Sequence, residues 1–376
     1  MRTALIISLS VCVLFVYSWI PLQGGINNSF VRQTTKLLQN KLQVKSPHPR
    51  LVVEQEEIAA VKKVIKFYQQ RDYKLGWFAH QKIIATASSF LQLISCAEQK
   101  GLKPTDYHCK QIENLVKKIK KSKQGEVPAA RAVKLDLLLT DAFFSYSSDL
   151  LLGINPREEL PQTSDRKQVD LVKMLTKIVK QGQVKKRLAK LAPNQVKYEE
   201  LQQALLKYKE IVSRGGWPQV SRGEELRKGD YSQRVARLRK RLIICGDLRK
   251  IKTSRPQLFD GALQQSVRRF QYRHGLEVTG IVNKETLREL NISAKERVKQ
   301  IKLNLDRLRR MPRNLGAQYI IVNIPDFQLK VKTQHQLVRT MKVIVGKPTR
   351  QTPVFSEQIT YLVFNPYWNI PDRIVV

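Results

Sequence analysis

Residues 135–156 read LDLLLTDAFFSYSSDLLLGINP, and this stretch decides the architecture of the first half of the chain. Its apolar side chains recur with the period of an amphipathic helix, at Leu135, Leu138, Leu139, Ala142, Phe143, Tyr146 and Leu150. Gly153 and Pro156 then supply the stop signals that are typical of a helix C-terminus. The pattern predicts a helix with enough apolar surface to form the centre of a helical domain.

Further amphipathic segments surround this helix and are joined by Gly and Pro turns. They read VKKVIKFYQQRDYKLGWF, SSFLQLISCAEQKGL and YEELQQALLKYKEIVSRGGW. Together they predict a helical scaffold domain over residues 54–222. The domain shows no paired carboxylates in an apolar setting and no Gly-rich phosphate loop, so we expect a structural rather than a catalytic role.

A smaller unit of three short helices is predicted over residues 223–294. The first two helices are predicted in SQRVARLRKRLIICGDL and FDGALQQSVRRFQYRHGL. The inner face of the first carries Val235, Leu238, Leu242 and Cys245, and that of the second carries Leu263, Val267 and Phe270. In TGIVNKETLRELN, Asn283 is a helix N-cap for the third. A unit of this size is better suited to binding than to catalysis.

The last part of the chain changes from helical to strand periodicity. SAKERVKQIKLNLDRLRRMP predicts a basic connecting helix within residues 295–316, ended by Pro312. From residue 317 the apolar positions alternate, as in FQLKVK and MKVIVG, and the intervening TQHQ predicts a hairpin turn that contains His335. Residues 317–376 are therefore expected to belong to a β-domain.

The composition favours anionic partners. The 376 residues contain 68 Lys and Arg against 31 Asp and Glu, a formal net charge of +37, and 42% are apolar, which is enough to build cores. The positive charge is spread over the chain and lacks an aromatic-interleaved motif, so nucleic acid is not the predicted partner. Anionic envelope polymers and a membrane surface both fit the charge.

Residues 1–25 begin with one Arg and run apolar from Ala4 to Leu22, which predicts a signal peptide or a membrane anchor. Residues 26–53 are polar and broken by Pro, and they predict a tether. Either interpretation of the N-terminus exports the rest of the chain.

The cysteines and histidines give no sign of a metal site. Cys96 and Cys109 could pair in an exported protein, and free buried thiols are the alternative for them and for Cys245. No CxxC, HxxxH or HExxH pattern occurs, so neither a metal nor another cofactor is predicted.

The order of these pieces resembles the large murein L,D-transpeptidases that carry a scaffold domain, the YcbB-like group. The resemblance runs from about residue 60 to the end. In the scaffold it rests on YQQRDYKLGW, GLKPTDYH, the stretch at 135–156 and GGWPQV. In the smaller unit it rests on RLRKRLIICGDL, SVRRFQYRHGL and TGIVNKETLRELN, and in the β-domain on NLDRLRRMP, YIIVNIPDFQLKV, VIVGKPTRQTPVFS and YLVFNPYWNIP.

This resemblance implies an α+β multidomain protein of the periplasm or of the outer face of the inner membrane. It implies a helical scaffold domain, a three-helix peptidoglycan-binding module and the beginning of a β-sandwich catalytic domain. In the family a Cys thiolate attacks the carbonyl between diaminopimelate and the terminal D-Ala of a stem peptide, and the acyl group passes to an amine to form a cross-link. Peptidoglycan is therefore the implied partner.

The family's catalytic residues cannot be carried over to this sequence. They lie in a His-containing segment and a Ser-x-Gly-Cys-x-Arg-type segment, neither of which is matched here. Cys245 is followed by Gly246 but belongs to the first helix of the module, so we predict no catalytic residue and a β-sandwich that is incomplete and truncated before the Cys segment. The predicted substrate-binding residues are Gln271, His274, Asn365, Tyr367 and Trp368.

Three functions are compatible with these observations. The leading interpretation is a wall-binding member of the family that is inactive alone. The second is an active L,D-transpeptidase whose C-terminal catalytic half is lost from this chain by a frameshift or a mis-called gene end. The third is a membrane-tethered basic scaffold that recruits anionic partners.

Overall fold

The computed structural model of the protein describes residues 24–43, 50–79, 81–122, 127–154, 169–250 and 253–367. A helical unit comes first, a three-helix unit follows, and an antiparallel sheet lies beyond a connecting helix. The predicted α+β multidomain class is confirmed.

The first unit is almost entirely helical. Its helices are α1 (Gly24–Leu42), α2 (Val61–Gln69), α3 (Ala85–Ser95), α4 (Cys109–Lys120), α5 (Ala129–Leu152), α6 (Leu171–Gln181), α7 (Val184–Ala189) and α8 (Val196–Ser213). Two short antiparallel hairpins join some of them, β1 (Val52–Val53) with β2 (Glu56–Glu57), and β3 (Phe78–Ala79) with β4 (Lys82–Ile83).

Helix α5 is the centre of this unit, as its period predicts. Helices α1, α2, α3, α4 and α6 all pack against it, and each of its seven predicted apolar positions is buried. Leu137 and Phe144, outside the predicted stripe, are buried as well, so the helix is enclosed on more than one face. Trp77 stacks on Phe90 at a centroid distance of 5.5 Å and joins the aromatic cluster around Phe143.

Asp136 lies within this apolar environment and is fully buried. Its carboxylate accepts hydrogen bonds from the backbone N–H groups of Gly76 (2.9 Å) and Trp77 (2.8 Å) and from the hydroxyl of Tyr68 (2.5 Å). Burial raises the pKa of Asp136, while the three donors oppose that shift. The carboxylate therefore fixes the loop that carries Trp77 onto α5.

Asp141, five residues further along α5, holds a second loop. It accepts from the backbone N–H groups of Ala59 (3.2 Å) and Ala60 (2.7 Å), and its Oδ2 lies 2.8 Å from His108 Nε2. The other ring nitrogen of His108 lies 2.8 Å from Glu56. Burial alone would lower the pKa of His108, but hydrogen bonds to the two carboxylates raise it above the ordinary value. Asp141 and Glu56 flank His108 as a pair of carboxylates, which corrects the expectation that the scaffold has no paired carboxylates in an apolar setting.

The tether expected at residues 26–53 is a second correction. Its first part is α1, and Phe30, Thr34, Leu38 and Leu42 are buried on the scaffold side of that helix. These residues follow one another at intervals of four, so the apolar stripe is narrow and most of the helix surface remains polar. The helix is part of the scaffold core because this stripe packs against α5.

The second unit contains α9 (Gln233–Cys245), α10 (Gly261–Arg273) and α11 (Lys284–Leu290), in agreement with the three predicted helices. Helix α12 (Ala294–Arg310) then returns to the scaffold and packs along α8. Arg309 donates through Nε to the Tyr198 hydroxyl at 3.0 Å, and Leu305 packs with Leu205. Since the end of α12 meets the beginning of α8, the two helices are antiparallel.

Over its described residues, 317–367, the β-domain contains a three-stranded antiparallel sheet in the order β5 (Gln318–Asn323), β6 (Gln328–Thr333) and β7 (Gln336–Lys342). Gln334 and His335 form the predicted turn between β6 and β7, both with positive φ. The expected strand MKVIVG is mostly outside the sheet, because β7 ends at Lys342. One face aligns Val322 with Leu329 and Met341, and its apolar side chains are partly exposed.

Residues 1–23 lie outside the described residues, so the predicted signal peptide or anchor stays a prediction. In the part of the chain that the structure describes, no helix has both the length and the apolarity that a bilayer crossing requires. Cys96 is exposed and Cys109 is buried, and both are free thiols in the structure.

We expect Asp136→Ala to destabilise the scaffold, because three buried donors would lose their acceptor. At about 1–3 kcal/mol for each unsatisfied group, the free energy of unfolding should fall by at least about 3 kcal/mol. Thermal and urea unfolding of the full chain would measure this. Glu200→Ala, which removes an exposed carboxylate of α8, is the matched control, and an equal loss in both variants would contradict the role assigned to Asp136.

The His108 cluster should make scaffold stability depend on pH. Because the folded pKa is raised, the stabilisation is fully present below the unfolded pKa of about 6.5 and is lost as pH rises through the folded pKa. The melting temperature of the wild type should therefore exceed that of His108→Gln most at acidic pH, and the difference should shrink toward alkaline pH. His335→Gln, at the exposed turn, should have the melting temperature of the wild type at every pH. A difference between the wild type and His108→Gln that does not change with pH would contradict the role of the His108 cluster.

Candidate functional site

The three-helix unit is positioned by a polar cap at the start of each helix. In every case a side-chain oxygen accepts from a backbone N–H of the first turn: Ser232 from Val235 (3.4 Å), Asp260 from Leu263 (2.8 Å) and Asn283 from Thr286 (2.9 Å). The cap predicted at Asn283 is confirmed. The residues predicted to lie inside α9 and α10 are all buried in one core, together with Phe259, Val282 and Leu290.

Gln271 is the polar centre of this core and is 0% exposed. Its Oε1 accepts from Gly280 N at 2.8 Å, and its Nε2 donates to the Ile281 carbonyl at 2.8 Å and to the Thr286 hydroxyl at 3.1 Å. Gly280 has φ of +76°, and a Cβ there would come within 2.9 Å of Arg268 Nε. The amide of Gln271 therefore holds the turn between α10 and α11.

This placement bears on the predicted ligand contact of Gln271. Both amide atoms are used within the module, so the structure leaves no polar atom of Gln271 open to a ligand. The structural role was not apparent from the sequence, because a Gln on a helix face is usually solvated.

His274 lies at the end of α10, with its ring tilted by 33° against that of Phe270 at a centroid distance of 4.1 Å. Its Nδ1 is 2.8 Å from Glu289, which also pairs with Arg297. Burial and the neighbouring cations lower the pKa of His274 to about 4, so the imidazole is neutral at physiological pH. Its Nε2 is buried and has no hydrogen-bond partner among the described residues.

Cys245 does not have the environment of a nucleophile. Burial raises the pKa of its thiol, which donates to Asp247 Oδ2 at 2.8 Å. Asp247 in turn receives two hydrogen bonds from Arg273, at 2.6 and 2.5 Å. A reactive cysteine needs a lowered pKa, which these surroundings do not supply, and the absence of a catalytic residue stays a prediction.

The module is joined to the scaffold by Trp217, which sequence reasoning assigned no function. The guanidinium of Arg241 lies 3.6 Å from the centre of the Trp217 ring, and Trp217 Nε1 donates to the Ile292 carbonyl at 3.1 Å. Val220 and Asn291 exchange two hydrogen bonds of 2.9 and 2.8 Å, which tie the entry of the module to its exit.

A surface cleft of about 360 Å³ opens on the module, near the lower limit of the usual volume of small-ligand sites. The loop of Gly223, Glu224 and Glu225 forms one wall, and residues 282–285 with Leu287 form the other. Carboxylates and the Lys284 ammonium line it together with an apolar floor. Sequence reasoning missed this cleft because residues 223–225 carry no periodic pattern, although Asn283 at its rim was identified as a cap.

The remaining predicted site residues lie in the β-domain. Asn365 and Tyr367 follow the sheet in a segment without strands, and Tyr367 is 97% exposed. Trp368 lies outside the described residues. The structure therefore does not bring Asn365 and Tyr367 together with Gln271 or His274 in one described cleft.

Comparison with known proteins finds three domain families along the chain. Residues 62–205 match the scaffold domain, residues 231–290 match the "Putative peptidoglycan binding domain", and residues 317–376 match the L,D-transpeptidase catalytic domain. A curated relative from Haemophilus influenzae, named "Putative L,D-transpeptidase", is 36% identical over 90 residues. The aligned segment covers 24% of this chain and 17% of that relative.

A scaffold followed by a peptidoglycan-binding module and by residues of a transpeptidase catalytic domain defines a class of multidomain cell-wall proteins. The chain thus matches all three domains of the L,D-transpeptidases that carry a scaffold domain, in the order that its sequence motifs predict.

We expect Gln271→Ala to destabilise the module, since it removes the acceptor of Gly280 N and the donor to Ile281 and Thr286. The loss should be about 2–4 kcal/mol, from two to three buried groups left without partners. Gln265→Ala, at an exposed position of the same helix, should have little effect. Hydrogen exchange of the Gly280 amide would distinguish the two variants. Unchanged protection of this amide in Gln271→Ala would contradict the role of Gln271 in holding the turn between α10 and α11.

Proposed function

We propose that this protein attaches to peptidoglycan outside the cytoplasm through residues 223–294. The observation that carries the proposal is the match of residues 231–290 to a peptidoglycan-binding domain, on a three-helix core that the structure shows capped and closed. Its location would be the periplasm or the outer face of the inner membrane.

The cleft between residues 223–225 and 282–287 is the proposed binding site. Glu225 and Glu285 offer acceptors to the amine and amide groups of a stem peptide, and Lys284 offers a donor to its carboxylates. The net charge of +37 would draw the protein to a polymer that carries carboxylates. His274, Asn365, Tyr367 and Trp368 remain proposed contacts, and of these His274 has a buried nitrogen without a partner.

We further propose that the 376 residues alone do not transfer acyl groups. Acyl transfer in this family needs an accessible thiolate beside a base. Burial raises the pKa of Cys109 to about 12 and also raises that of Cys245, so neither buried thiol is poised to ionise.

Binding to purified sacculi would test the attachment. Glu225→Trp should fill the cleft and lower the amount bound at least fivefold, roughly the loss of 1 kcal/mol of binding free energy. Lys228→Trp adds the same bulk at an exposed position of the neighbouring turn that does not line the cleft, and it should bind as the wild type does. Equal retention of all three proteins would refute the cleft as the site, and no retention of the wild type would refute the attachment itself.

L,D-transpeptidation by a longer polypeptide that includes these residues is a second candidate. The observation that favours it is the apolar face of the sheet, where Ile320, Val322 and Met341 are more than 40% exposed and could pack against further polypeptide. Incubation with a tetrapeptide-bearing muropeptide would separate the two: release of D-Ala by the 376 residues alone would overturn the proposed inactivity.

A further inference from the structure

Two neighbouring scaffold helices present an outer surface whose charged residues are all lysines. Helices α2 and α6 bury their apolar sides in the scaffold core and contact each other, so their outer sides adjoin. Neither helix contains a carboxylate. We call this surface the lysine face; its members are Lys62, Lys63, Lys66, Lys173, Lys177 and Lys180, and all six are exposed.

Within the described ranges, none of these six lysines forms an ion pair. Other lysines of the protein do have carboxylate partners, such as Lys134 with Glu54 and Lys299 with Glu296. On the lysine face, Lys62 and Lys66, like Lys173 and Lys177, lie one turn apart on the same helix, and like charges at this spacing destabilise a helix. The nearest carboxylate in sequence, Asp170, caps the start of α6.

The chemistry of the face favours one class of partner. Its cations are compact ammonium groups without a guanidinium fork, and Phe67 and Tyr68 of α2 are buried, so α2 and α6 offer no ring on which a nucleic-acid base could stack. Such a surface suits a plane of phosphate groups that demands charge but no fixed geometry. Each lysine close to an anionic bilayer adds to the attraction.

The position of α1 supports the same partner. This helix starts at Gly24, directly after the apolar run that predicts a signal peptide or anchor, and Phe30 and Leu38 pack it into the scaffold core. A helix of 19 residues is about 28 Å long, so a membrane-embedded N-terminus would hold the scaffold close to the lipid surface. We propose that the lysine face binds the surface of an anionic phospholipid bilayer.

The proposal goes beyond peptidoglycan attachment and does not depend on the module. Its test is sedimentation of the full chain with vesicles of phosphatidylcholine alone or mixed with phosphatidylglycerol. The apolar N-terminus is present in every variant, so the readout is the gain in binding that the anionic lipid produces. We expect a large gain for the wild type that falls steeply with salt.

In the variant Lys66→Gln/Lys173→Gln/Lys177→Gln, the gain in vesicle binding from phosphatidylglycerol should be at least about tenfold smaller than in the wild type. The matched control is Lys197→Gln/Lys295→Gln/Lys299→Gln, which removes the same charge from exposed positions of α8 and α12, helices that also carry glutamates. It should retain most of the gain. Thermal melting of both variants would confirm that the scaffold stays folded, as expected for exposed positions.

An equal loss in both variants would overturn the proposal, because the effect would then follow net charge rather than this face. No gain from phosphatidylglycerol in the wild type would overturn it as well. If the lysine-face variant instead loses binding to sacculi and keeps its vesicle binding, the face contacts a wall polymer and the bilayer assignment is wrong. Whether Glu225→Trp, the cleft variant, binds sacculi like the wild type would not change how these vesicle-binding results are interpreted.

Discussion

The buried carboxylates of α5 are the constraint on which the scaffold depends. Asp136 is hydrogen-bonded to Gly76, Trp77 and Tyr68. Asp141 is hydrogen-bonded to Ala59, Ala60 and His108. Two loops from distant parts of the sequence are therefore fixed to one helix. A buried carboxylate without these donors would be costly, and loops without the carboxylates would leave backbone N–H groups unsatisfied. Both needs are met together at the edge of the aromatic core around Trp77 and Phe143.

Away from α5, the excess of basic residues shapes how charge is buried. With so few carboxylates available, several arginines are held by carbonyl oxygens and by rings. Arg241 lies under Trp217 and donates to the Leu290 carbonyl, while Arg269 donates to the Asp247 carbonyl. Arginine suits this role because its flat, weakly hydrated group both stacks and donates in several directions. Lysine lacks these properties, which agrees with its place on the exposed surfaces of α2 and α6.

The sequence predicts those parts of the fold that rest on long periodic patterns or local caps. The stripe of α5, the cap at Asn283 and the turn at His335 all follow from neighbouring residues. Helix α1 is not predicted by such patterns, because its buried residues form a narrow stripe in a polar segment. The site is less predictable still, since the role of Gln271 depends on a turn nine residues away, and the cleft joins two loops more than fifty residues apart. Contacts between residues so far apart in the chain produce no local sequence pattern.

The pairing of α8 with α12 has a mechanical consequence. The module is inserted between the ends of two antiparallel helices, and Val220 and Asn291 clamp its entry to its exit. Tension on a wall-bound module would therefore pass into the scaffold through two chain connections at one point. Because both helices run away from that point side by side, they would share the load and pass it on to the rest of the scaffold, with Tyr198, Leu205, Leu305 and Arg309 holding the two helices together. An inserted module of this kind is held by two chain connections, whereas a domain at the end of a single linker is held by one.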